Sequence, residues 1–448
     1  MSPEHGVTRA LVDAARTVRW EELPAEAREV ARHCLLDFLG VALAGAREPL
    51  TQILIEVVVQ HEKSSEAGVL GRAERASRLS AALVNGAAAH ALDFDDTHTA
   101  MNGHPSVPVL PALLALAETE AASGERLLAA LVAGIELECR LASVLGPGHY
   151  AVGFHSTGTL GAFGAAAACA HLLGLDAEQW AQALGLAGTQ AAGLKSGFGT
   201  MAKPLHAGRA AATGLLSALL ARAGFTANPT IVEAAQGFAA THAGAVSPAR
   251  GLERHDRPLV RATLFKYHAA CYLTHAAIEA ASALRTAHRL APEAIDRVTV
   301  RVAPALLAVC AIPEPRTGLE GKFSLRATTA MALLGDDTAD PAAFTDARMA
   351  DPRLCALRDR IHVETVPGVP GTRAALVIET RGEHLEAEVD TGVPASDLVV
   401  QRERLRRKFL TLATPVVGGA GAVRLADAAL RADELPAAAE LVRLAQPG

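Results

Sequence analysis

Aromatic side chains are scarce in this sequence. Phenylalanine, tyrosine and tryptophan make up 4% of its 448 residues, although 50% of the residues are hydrophobic. Alanine and leucine supply most of the apolar mass, and both favour helices because they lose little side-chain entropy there. Long uncharged apolar runs are also missing, so the sequence predicts neither a membrane span of about 18 residues nor a signal peptide. We expect a soluble, helix-rich, cytoplasmic protein without membrane association.

Cysteine spacing and net charge exclude further classes of protein. The six cysteines include no Cys-x-x-Cys pair, so neither a zinc site nor an iron–sulfur cluster is indicated. The formal net charge of −6 offers no general attraction for nucleic acid. A Gly-x-Ser-x-Gly elbow, a His-Glu-x-x-His pair and a phosphate-binding loop are all absent. Hydrolase, zinc-protease and ATPase chemistry therefore have no support, and we expect no metal and no organic cofactor.

A helical period dominates from Pro24 to about Ala240, with proline or glycine near many of the boundaries. The first helix begins at Pro24 and runs through Leu43. Further helices are predicted at Ser80–Asp93, Pro105–Ala121, Arg126–Leu145, Gly158–Leu173, Ala177–Ala191, Pro204–Ala223 and Thr230–Ala240. So many helices with short joints are typical of an all-α bundle.

The pattern changes after about Arg261. The run Ile295–Arg301 alternates apolar and polar residues as a half-buried strand does. Two more alternating runs, Ala374–Thr380 and Leu385–Val389, are joined through Arg381-Gly382-Glu383 and predict a β-hairpin. Helices are predicted at Leu273–His288, at Leu325–Leu334 and again from Ala395 onward.

These patterns predict a mainly α fold. A large helical domain comprises residues 1–262 and 395–448, and a smaller α+β domain at residues 263–394 is inserted into it.

A first segment that contains candidate catalytic residues runs from His90 to His104. If its helix extends through Thr97, then Asp93 and Thr97 share a helix face while Asp95 points elsewhere. His104 precedes a proline at a positive helix end, which favours neutral imidazole and therefore a base. Two alternatives stay open: a solvated acidic helix end with a capping histidine, and a divalent cation held by the aspartates.

A second segment, Gly153–Thr159, leads into an alanine-rich helix. Backbone N–H groups and the hydroxyls of Ser156, Thr157 and Thr159 could cradle a carboxylate at that helix start, with His155 beside it. An ordinary N-cap with a partly exposed histidine explains the same residues.

Two lysines and a cysteine complete the candidates. Lys203 precedes Pro204, which places an ammonium beside a positive helix end, a position that an anion would stabilise. Lys266 and Cys271 lie where the two patterns meet, and pockets often form between domains. A solvated lysine and a small core cysteine are the alternatives.

In their order and spacing, these segments resemble the MmgE/PrpD family. The matching segments cover nearly the whole chain: residues 35–45, 90–106, 153–161, 203–208, 266–275 and 318–324. The resemblance implies a helical domain built from both chain ends, an inserted α+β lid and a homodimer. Members of the family dehydrate, decarboxylate or epimerise small polycarboxylates without a required organic cofactor.

The resemblance also assigns pocket residues. By position, the family's pocket corresponds here to Asp93, Thr97, His104, His155, Lys203 and Lys266. Two departures stand out, since Cys271 occupies the place of a histidine in the dehydratase and decarboxylase branches, and Ala327 the place of a tyrosine. The chain is therefore more similar to the broad branch of the family than to those two.

We expect a cofactor-independent lyase, of dehydratase or decarboxylase type, that transfers a proton beside a carboxylate of a small di- or tricarboxylic acid. His104 is the expected base, oriented by Asp93 or Thr97, and Lys203 and Lys266 bind carboxylates. An epimerase or isomerase that uses Cys271 as a second acid or base is the first alternative. A non-catalytic carboxylate-binding protein is the second.

Overall fold

The computed structural model describes residues 6–243, 247–253, 255–380 and 382–447. Backbone contacts divide the chain into two compact units. The first comprises Met1–Phe265 and Ser396–Gly448, and the second is Lys266–Ala395.

The first unit is built from helices, apart from a short antiparallel pair, Ala67–Gly68 with Arg75–Ala76. The π-helical turn Ile55–Val59 continues one of these helices. The α-helices are Val7–Arg16, Ala25–Gly45, Pro49–Leu54, Arg78–His90, Ser106–Glu120, Gly124–Leu145, Gly148–Val152, Ser156–Leu172, Ala177–Gly188, Ala202–Arg222, Phe238–His242, Pro248–Leu252, Leu398–Leu430 and Ala439–Leu444.

Most of the predicted helices of this unit are confirmed to within a few residues at their ends. Side-chain caps account for several starts, such as Ser77, whose hydroxyl accepts the N–H of Ser80. The helix predicted at Thr230–Ala240 is wrong, because residues 229–237 form turns and only Phe238–His242 is helical. Gly237, a poor helix former, interrupts the apolar period there.

Two helices that carry site residues approach each other backbone to backbone. A Cβ added to Gly86 would lie 2.8 Å from the Cα of Gly208, and one added to Gly208 would lie 2.1 Å from the Leu83 carbonyl oxygen. Only glycine fits such a crossing. The close contact brings the helix Arg78–His90 against the start of the helix Ala202–Arg222.

The C-terminal helix Leu398–Leu430 is long and apolar enough to cross a membrane by length and composition. Gly418 has a φ of 72°, so the helix is kinked, and Pro415 lies just before the kink. It packs against the helix Ala25–Gly45, with Leu405 and Phe409 each 1% exposed. These contacts bury one face of the helix, and 39% of its apolar window is buried.

The second unit contains a four-stranded sheet in the order Ile361–Thr365, Ile295–Val302, Arg373–Thr380 and Glu383–Asp390. The first pair is parallel and the other two are antiparallel. Helices of this unit are His275–His288, Gly318–Gly321, Leu325–Leu334, Asp346–Met349 and Pro352–Arg358. The first of these helices packs on the two antiparallel strands that form the hairpin.

The predicted strand and hairpin are confirmed. Gly382 in the hairpin turn has a φ of 100°, which glycine adopts without strain, while Arg381 lies outside the described residues. The parallel strand Ile361–Thr365 is absent from the sequence-based prediction. A helix-dominated chain with this small sheet confirms the predicted mainly α fold with a small α+β part.

Candidate active site

The loop between the helices Arg78–His90 and Ser106–Glu120 carries three of the predicted site residues, Asp93, Thr97 and His104. Thr97 and Leu264 exchange two backbone hydrogen bonds of 2.8 Å, which hold the middle of the loop. Asp93 has a φ of 50°, a left-handed conformation that aspartate tolerates better than most residues. The chain therefore leaves the helical path at Asp93.

The prediction of a helix through Thr97 is wrong, because the helix ends at His90 and the backbone of Asp93 is not helical. The Thr97 hydroxyl donates instead to the Gly103 carbonyl at 3.0 Å and so holds the loop. The expectation that Asp95 points elsewhere is also wrong. Its side chain is 1% exposed and lies inside the site.

Asp95 lies between two imidazoles. Its carboxylate oxygens are 2.9 Å from Nδ1 of His90 and 2.9 Å from Nδ1 of His104. Burial alone would raise the pKa of Asp95, but attraction to His104 and His90 and their hydrogen bonds outweigh burial and hold the pKa well below its usual value. Asp95 is thus an ionised acceptor shared by two ring N–H groups.

The contacts of His104 fix its tautomer. Nδ1 lies 2.9 Å from Oδ2 of Asp95 and 2.7 Å from the backbone carbonyl oxygen of Asp96. Both neighbours accept hydrogen bonds, so Nδ1 carries the hydrogen. In the neutral ring the lone pair is then on Nε2, the atom that a general base needs.

An ion pair stands beside that lone pair. Oδ1 of Asp93 lies 3.6 Å from Nε2 of His104 and 2.7 Å from Nζ of Lys203. Lys203 belongs to the first turn of the helix Ala202–Arg222, where a cation is favourable only beside an anion. The Asp93 side chain is 35% exposed. The candidate base His104, the ammonium of Lys203 and the partly exposed carboxylate of Asp93 are therefore neighbours.

Hydroxyl groups at the start of the helix Ser156–Leu172 contact His104 and His149. Thr157 Oγ1 accepts the backbone N–H of His104 at 3.1 Å, and Thr159 Oγ1 lies 2.7 Å from Nε2 of His149. Ser156 and Thr157 are buried. Their predicted direct role in binding a carboxylate stays a prediction.

His155 belongs to a stack of imidazoles. Its ring stacks on His90 with 5.8 Å between centroids, and its Nδ1 lies 3.0 Å from Nδ1 of His206. Burial, followed by repulsion from His90 and His104, lowers the pKa of His155. Burial also lowers the pKa of His90 to about 4 and lowers that of His206. Near neutral pH these rings are uncharged.

Several contributors to this arrangement were not predicted from the sequence. Three of them, His90, Asp95 and His206, lie inside the motifs and were assigned no role. Another is Lys408, whose Nζ lies 2.6 Å from Oδ1 of Asp37 and 2.6 Å from the Phe94 carbonyl oxygen. Lys408 ends a run of basic residues that resembles a solvated helix face, so no local signal marks it.

A metal ion is the alternative use of this cluster. One ligand atom each from His90, Asp93, Asp95 and His104 lies within 4.8 Å of the others. The ammonium of Lys203 contacts Asp93 at 2.7 Å, however, so a cation bound by Asp93 would have to displace this ammonium. When Asp95 accepts the Nδ1–H groups of His90 and His104, their Nε2 atoms keep lone pairs that can bind a metal. Metal independence stays a prediction, which chelation tests.

Lys266 and Cys271 belong to the second unit. Lys266 is 2% exposed, and Cys271 is half-buried with its Sγ 3.3 Å from Sγ of Cys310. Ala327 is buried near the start of the helix Leu325–Leu334, where a tyrosine was expected from the family pattern. The roles predicted for Lys266 and Cys271 stay predictions.

Comparison with protein families identifies the fold. The MmgE/PrpD N-terminal domain matches residues 9–250, and the MmgE/PrpD C-terminal domain matches residues 268–433. The chain belongs to the MmgE/PrpD family. The resemblance inferred from the sequence motifs is thereby confirmed.

Three relatives of this MmgE/PrpD protein are named as cis-aconitate decarboxylases or as similar to one. Cis-aconitate decarboxylase of Mus musculus is 30% identical over 407 residues, covering 85% of this chain and 81% of the relative. The Homo sapiens cis-aconitate decarboxylase is 29% identical over 388 residues, covering 81% and 77%. The cis-aconitate decarboxylase-like protein oryM of Aspergillus oryzae is 34% identical over 233 residues, covering 50% and 48%. The match with oryM thus spans about half the length of that relative.

Proposed function

We propose that this protein is a cofactor-independent lyase that acts on a small di- or tricarboxylic acid by proton transfer at a carbon beside a carboxylate. The observation that carries the proposal is the His104 ring, whose Nδ1–H is held by Asp95 while Nε2 faces the Asp93–Lys203 ion pair. The names of the relatives favour decarboxylation over dehydration.

In the proposed reaction a substrate carboxylate exchanges for Asp93 as the partner of Lys203. The exchange costs little charge separation, because one carboxylate replaces another beside the same ammonium. It also frees the space beside Nε2 of His104, which is then in contact with the substrate. Lys203 stabilises negative charge that develops on the substrate during the reaction.

For decarboxylation, the bond between a carboxylate carbon and its neighbour breaks and carbon dioxide leaves. The electron pair stays on the neighbouring carbon and is delocalised into a remaining carboxyl or alkene group. Nε2 of His104, which takes up a proton from water before the reaction, then delivers that proton to the carbon. For dehydration the neutral Nε2 removes a proton from the carbon beside the carboxylate and returns it to the hydroxyl group on the adjacent carbon, which leaves as water. Lys266 is proposed to bind a second carboxylate.

An epimerase is the second candidate. By the family resemblance Cys271 replaces a histidine of the lyase branches, and a thiol is a second acid or base of the kind that an epimerase needs to return a proton to the other face of a carbon. The half-buried position of Cys271 within its own unit is compatible with contact with a small molecule. The proposal also keeps the homodimer that the family resemblance implies and the cytoplasmic location that the sequence predicts.

The test is proton NMR in D2O after exhaustive chelation, on citrate-, aconitate-, succinate- and aspartate-like acids. We expect loss of carbon dioxide with deuterium entering the product beside a carboxylate. The variant His104→Ala should be inactive, while His61→Ala, which changes an exposed histidine, should retain full activity. Circular dichroism checks that both variants are folded.

Other outcomes decide between the alternatives. Release of water in place of carbon dioxide would assign a dehydratase, and deuterium exchange with inversion but no release would assign an epimerase. Tight binding of an acid in calorimetry without exchange or turnover would overturn the enzyme proposal in favour of a binding protein. Activity that disappears on chelation and returns with a divalent cation would overturn metal independence.

A further inference from the structure

Two cysteines of the second unit lie in contact. The thiol of Cys310 donates to Sγ of Cys271 with 3.3 Å between the sulfurs, although 39 positions separate the two residues in the sequence. A disulfide bond needs about 2.0 Å. The sulfurs must therefore approach by only about 1 Å for a bond to form.

The backbone holds both cysteines in place against one segment. The N–H of Cys271 donates to the carbonyl of Lys322 at 3.0 Å, and the N–H of Leu325 donates to the carbonyl of Cys310 at 3.0 Å. Lys322 and Leu325 lie three positions apart, so the two anchors are close together. Main-chain hydrogen bonds thus tie both cysteines to the same segment.

The two thiols differ in environment. Cys271 is half-buried, whereas Cys310 is buried. The hydrogen bond to Cys271, together with burial, raises the pKa of the Cys310 thiol, which keeps its hydrogen directed at the other sulfur. A reagent from solution therefore reaches Cys271 first, and Cys310 stands behind it as the second thiol. Reactive and resolving cysteines of redox-sensitive proteins have this arrangement.

We propose that Cys271 and Cys310 form a reversible oxidation site that takes a hydroperoxide as oxidant and closes to an intramolecular disulfide. This role is separate from the lyase chemistry, and it assigns a use to the cysteine that departs from the family pattern. The remaining cysteine of the unit, Cys355, takes no part, because its Sγ contacts the Met349 carbonyl at 3.3 Å.

The chemistry balances with hydrogen peroxide as the co-reactant. The thiolate of Cys271 attacks one peroxide oxygen, the O–O bond breaks, and an S–O bond forms a sulfenic acid while the departing hydroxide takes a proton as water. The sulfur of Cys310 loses its proton and attacks the sulfur of Cys271. The S–S bond forms, the S–O bond breaks, and the hydroxide leaves as a second water. Two thiols are oxidised and one peroxide is reduced.

The disulfide has one consequence that rests on the second candidate function, the epimerase, because the proposed lyase steps do not use Cys271. A bonded Cys271 has no S–H to exchange with a substrate, so a reaction that needs this thiol would stop on oxidation and return on reduction. The disulfide itself is detected chemically, without any activity. Failure of the lyase proposal and failure of the oxidation proposal are therefore distinguishable.

The experiment treats the folded full-length chain with a small excess of hydrogen peroxide and analyses it by mass spectrometry without reduction. We expect loss of two hydrogens and a cross-linked peptide pair that contains Cys271 and Cys310, both reversed by dithiothreitol. The variant Cys355→Ser should give the same cross-link. In Cys310→Ser the disulfide should be absent, and Cys271 should be trapped by dimedone as the sulfenic acid.

Three results would overturn the proposal: both thiols still fully alkylated by iodoacetamide after peroxide treatment, Cys271 oxidised to the sulfinic acid in the unchanged protein without a cross-link, or a disulfide between other cysteines. The variant Cys271→Ser adds a check that does not depend on the Cys310 variant folding. It should leave Cys310 unreactive toward peroxide, and rapid oxidation of Cys310 in this variant would contradict the assigned order of attack.

Discussion

The carboxylate of Asp95 holds the ring of His104 through Nδ1 at 2.9 Å, and the same carboxylate holds His90 at 2.9 Å. One ionised acceptor therefore sets the tautomer of two imidazoles at once. The consequence for His104 is a lone pair on Nε2, which faces Asp93 and Lys203. The proposed base is thus oriented by Asp95, a residue that the sequence analysis expected to point away from Asp93 and Thr97.

Replacing Asp95 by asparagine should reduce kcat by about 100- to 10,000-fold, the range typical for loss of a positioned acid or base. Asparagine has one acceptor oxygen and one amide NH2 group, so one of the two rings faces a donor where Asp95 supplied an acceptor, which disfavours a hydrogen on Nδ1 of that ring. Steady-state kinetics on the substrate found by NMR provide the measurement. The value of KM should change much less than kcat, because Asp95 is 1% exposed and does not meet the substrate.

Thr97→Val is the matched control for that variant. It removes the hydroxyl that donates to the Gly103 carbonyl and keeps the side-chain shape. We expect a loss of roughly 1 kcal/mol in the free energy of unfolding, the usual size for one hydrogen bond, and little change in kcat. A large loss of kcat in Thr97→Val combined with near-normal kcat in Asp95→Asn would show that Thr97 orients the base.

Lys203→Met should raise KM by about 10- to 100-fold, because a hydrogen bond to a charged group contributes about 1.5–3 kcal/mol to binding. Loss of the ammonium also removes a positive charge from between Asp93 and the incoming carboxylate, which adds repulsion. Initial-rate kinetics at low ionic strength measure the change, since salt weakens such interactions.

Lys195→Met is the control for the lysine variant. Its Nζ lies 3.0 Å from the Tyr150 carbonyl oxygen and 3.9 Å from the centre of the Tyr150 ring, so the ammonium interacts with Tyr150 within the protein. We expect an unchanged KM for this variant. Equal effects of the two substitutions would mean that general positive potential, and no specific contact of Lys203, attracts the substrate.

Local signals explain which parts of the fold were predictable. The helix Leu325–Leu334 was predicted with its correct ends, because Ser324 caps its start and Gly335, with a φ of 88°, ends it. The strand Ile361–Thr365 was missed, since only Ile361 among its residues is buried and its pairing partner lies far away in the sequence. Such parallel pairing has no local turn signal to reveal it.

Part of the membership of the candidate site was predictable, and less of its geometry. Asp93, His104 and Lys203 do meet, as their motifs suggested. The left-handed backbone of Asp93 could not be predicted from the sequence. Because the chain turns there, helical spacing does not predict the direction of the Asp95 side chain. Lys408 contacts Asp37 across 371 positions, and a contact at that separation follows only from tertiary packing.

Acidification should destabilise the first unit through its buried neutral histidines. The pKa of His90 is lowered by burial from 6.5 to about 4, so the unfolded chain binds more protons than the folded one between these values. The contribution is complete above pH 6.5, falls as the pH drops toward 4, and is constant below that. For His90 the loss at pH 4 is roughly 3 kcal/mol.

Urea unfolding curves between pH 7.5 and 4 measure this dependence. His90→Gln should reduce the pH slope of the free energy of unfolding, because glutamine does not titrate. His61→Gln should leave the slope unchanged, since His61 is exposed. A slope that is identical in His90→Gln and the unchanged protein would show that His90 carries no proton-linked free energy.

Lys408→Met should destabilise the protein by about 3–5 kcal/mol, the usual cost of removing one member of a buried ion pair. Lys408 and Asp37 are 2% and 3% exposed, so the remaining carboxylate cannot be rehydrated without local opening. The Phe94 carbonyl loses the same donor, which also loosens the loop that carries Asp95 and should lower kcat. Arg407→Met, which changes an exposed neighbour, should stay within about 0.5 kcal/mol of the unchanged protein in chemical denaturation. A Lys408→Met variant of unchanged stability would contradict the assigned role of the pair.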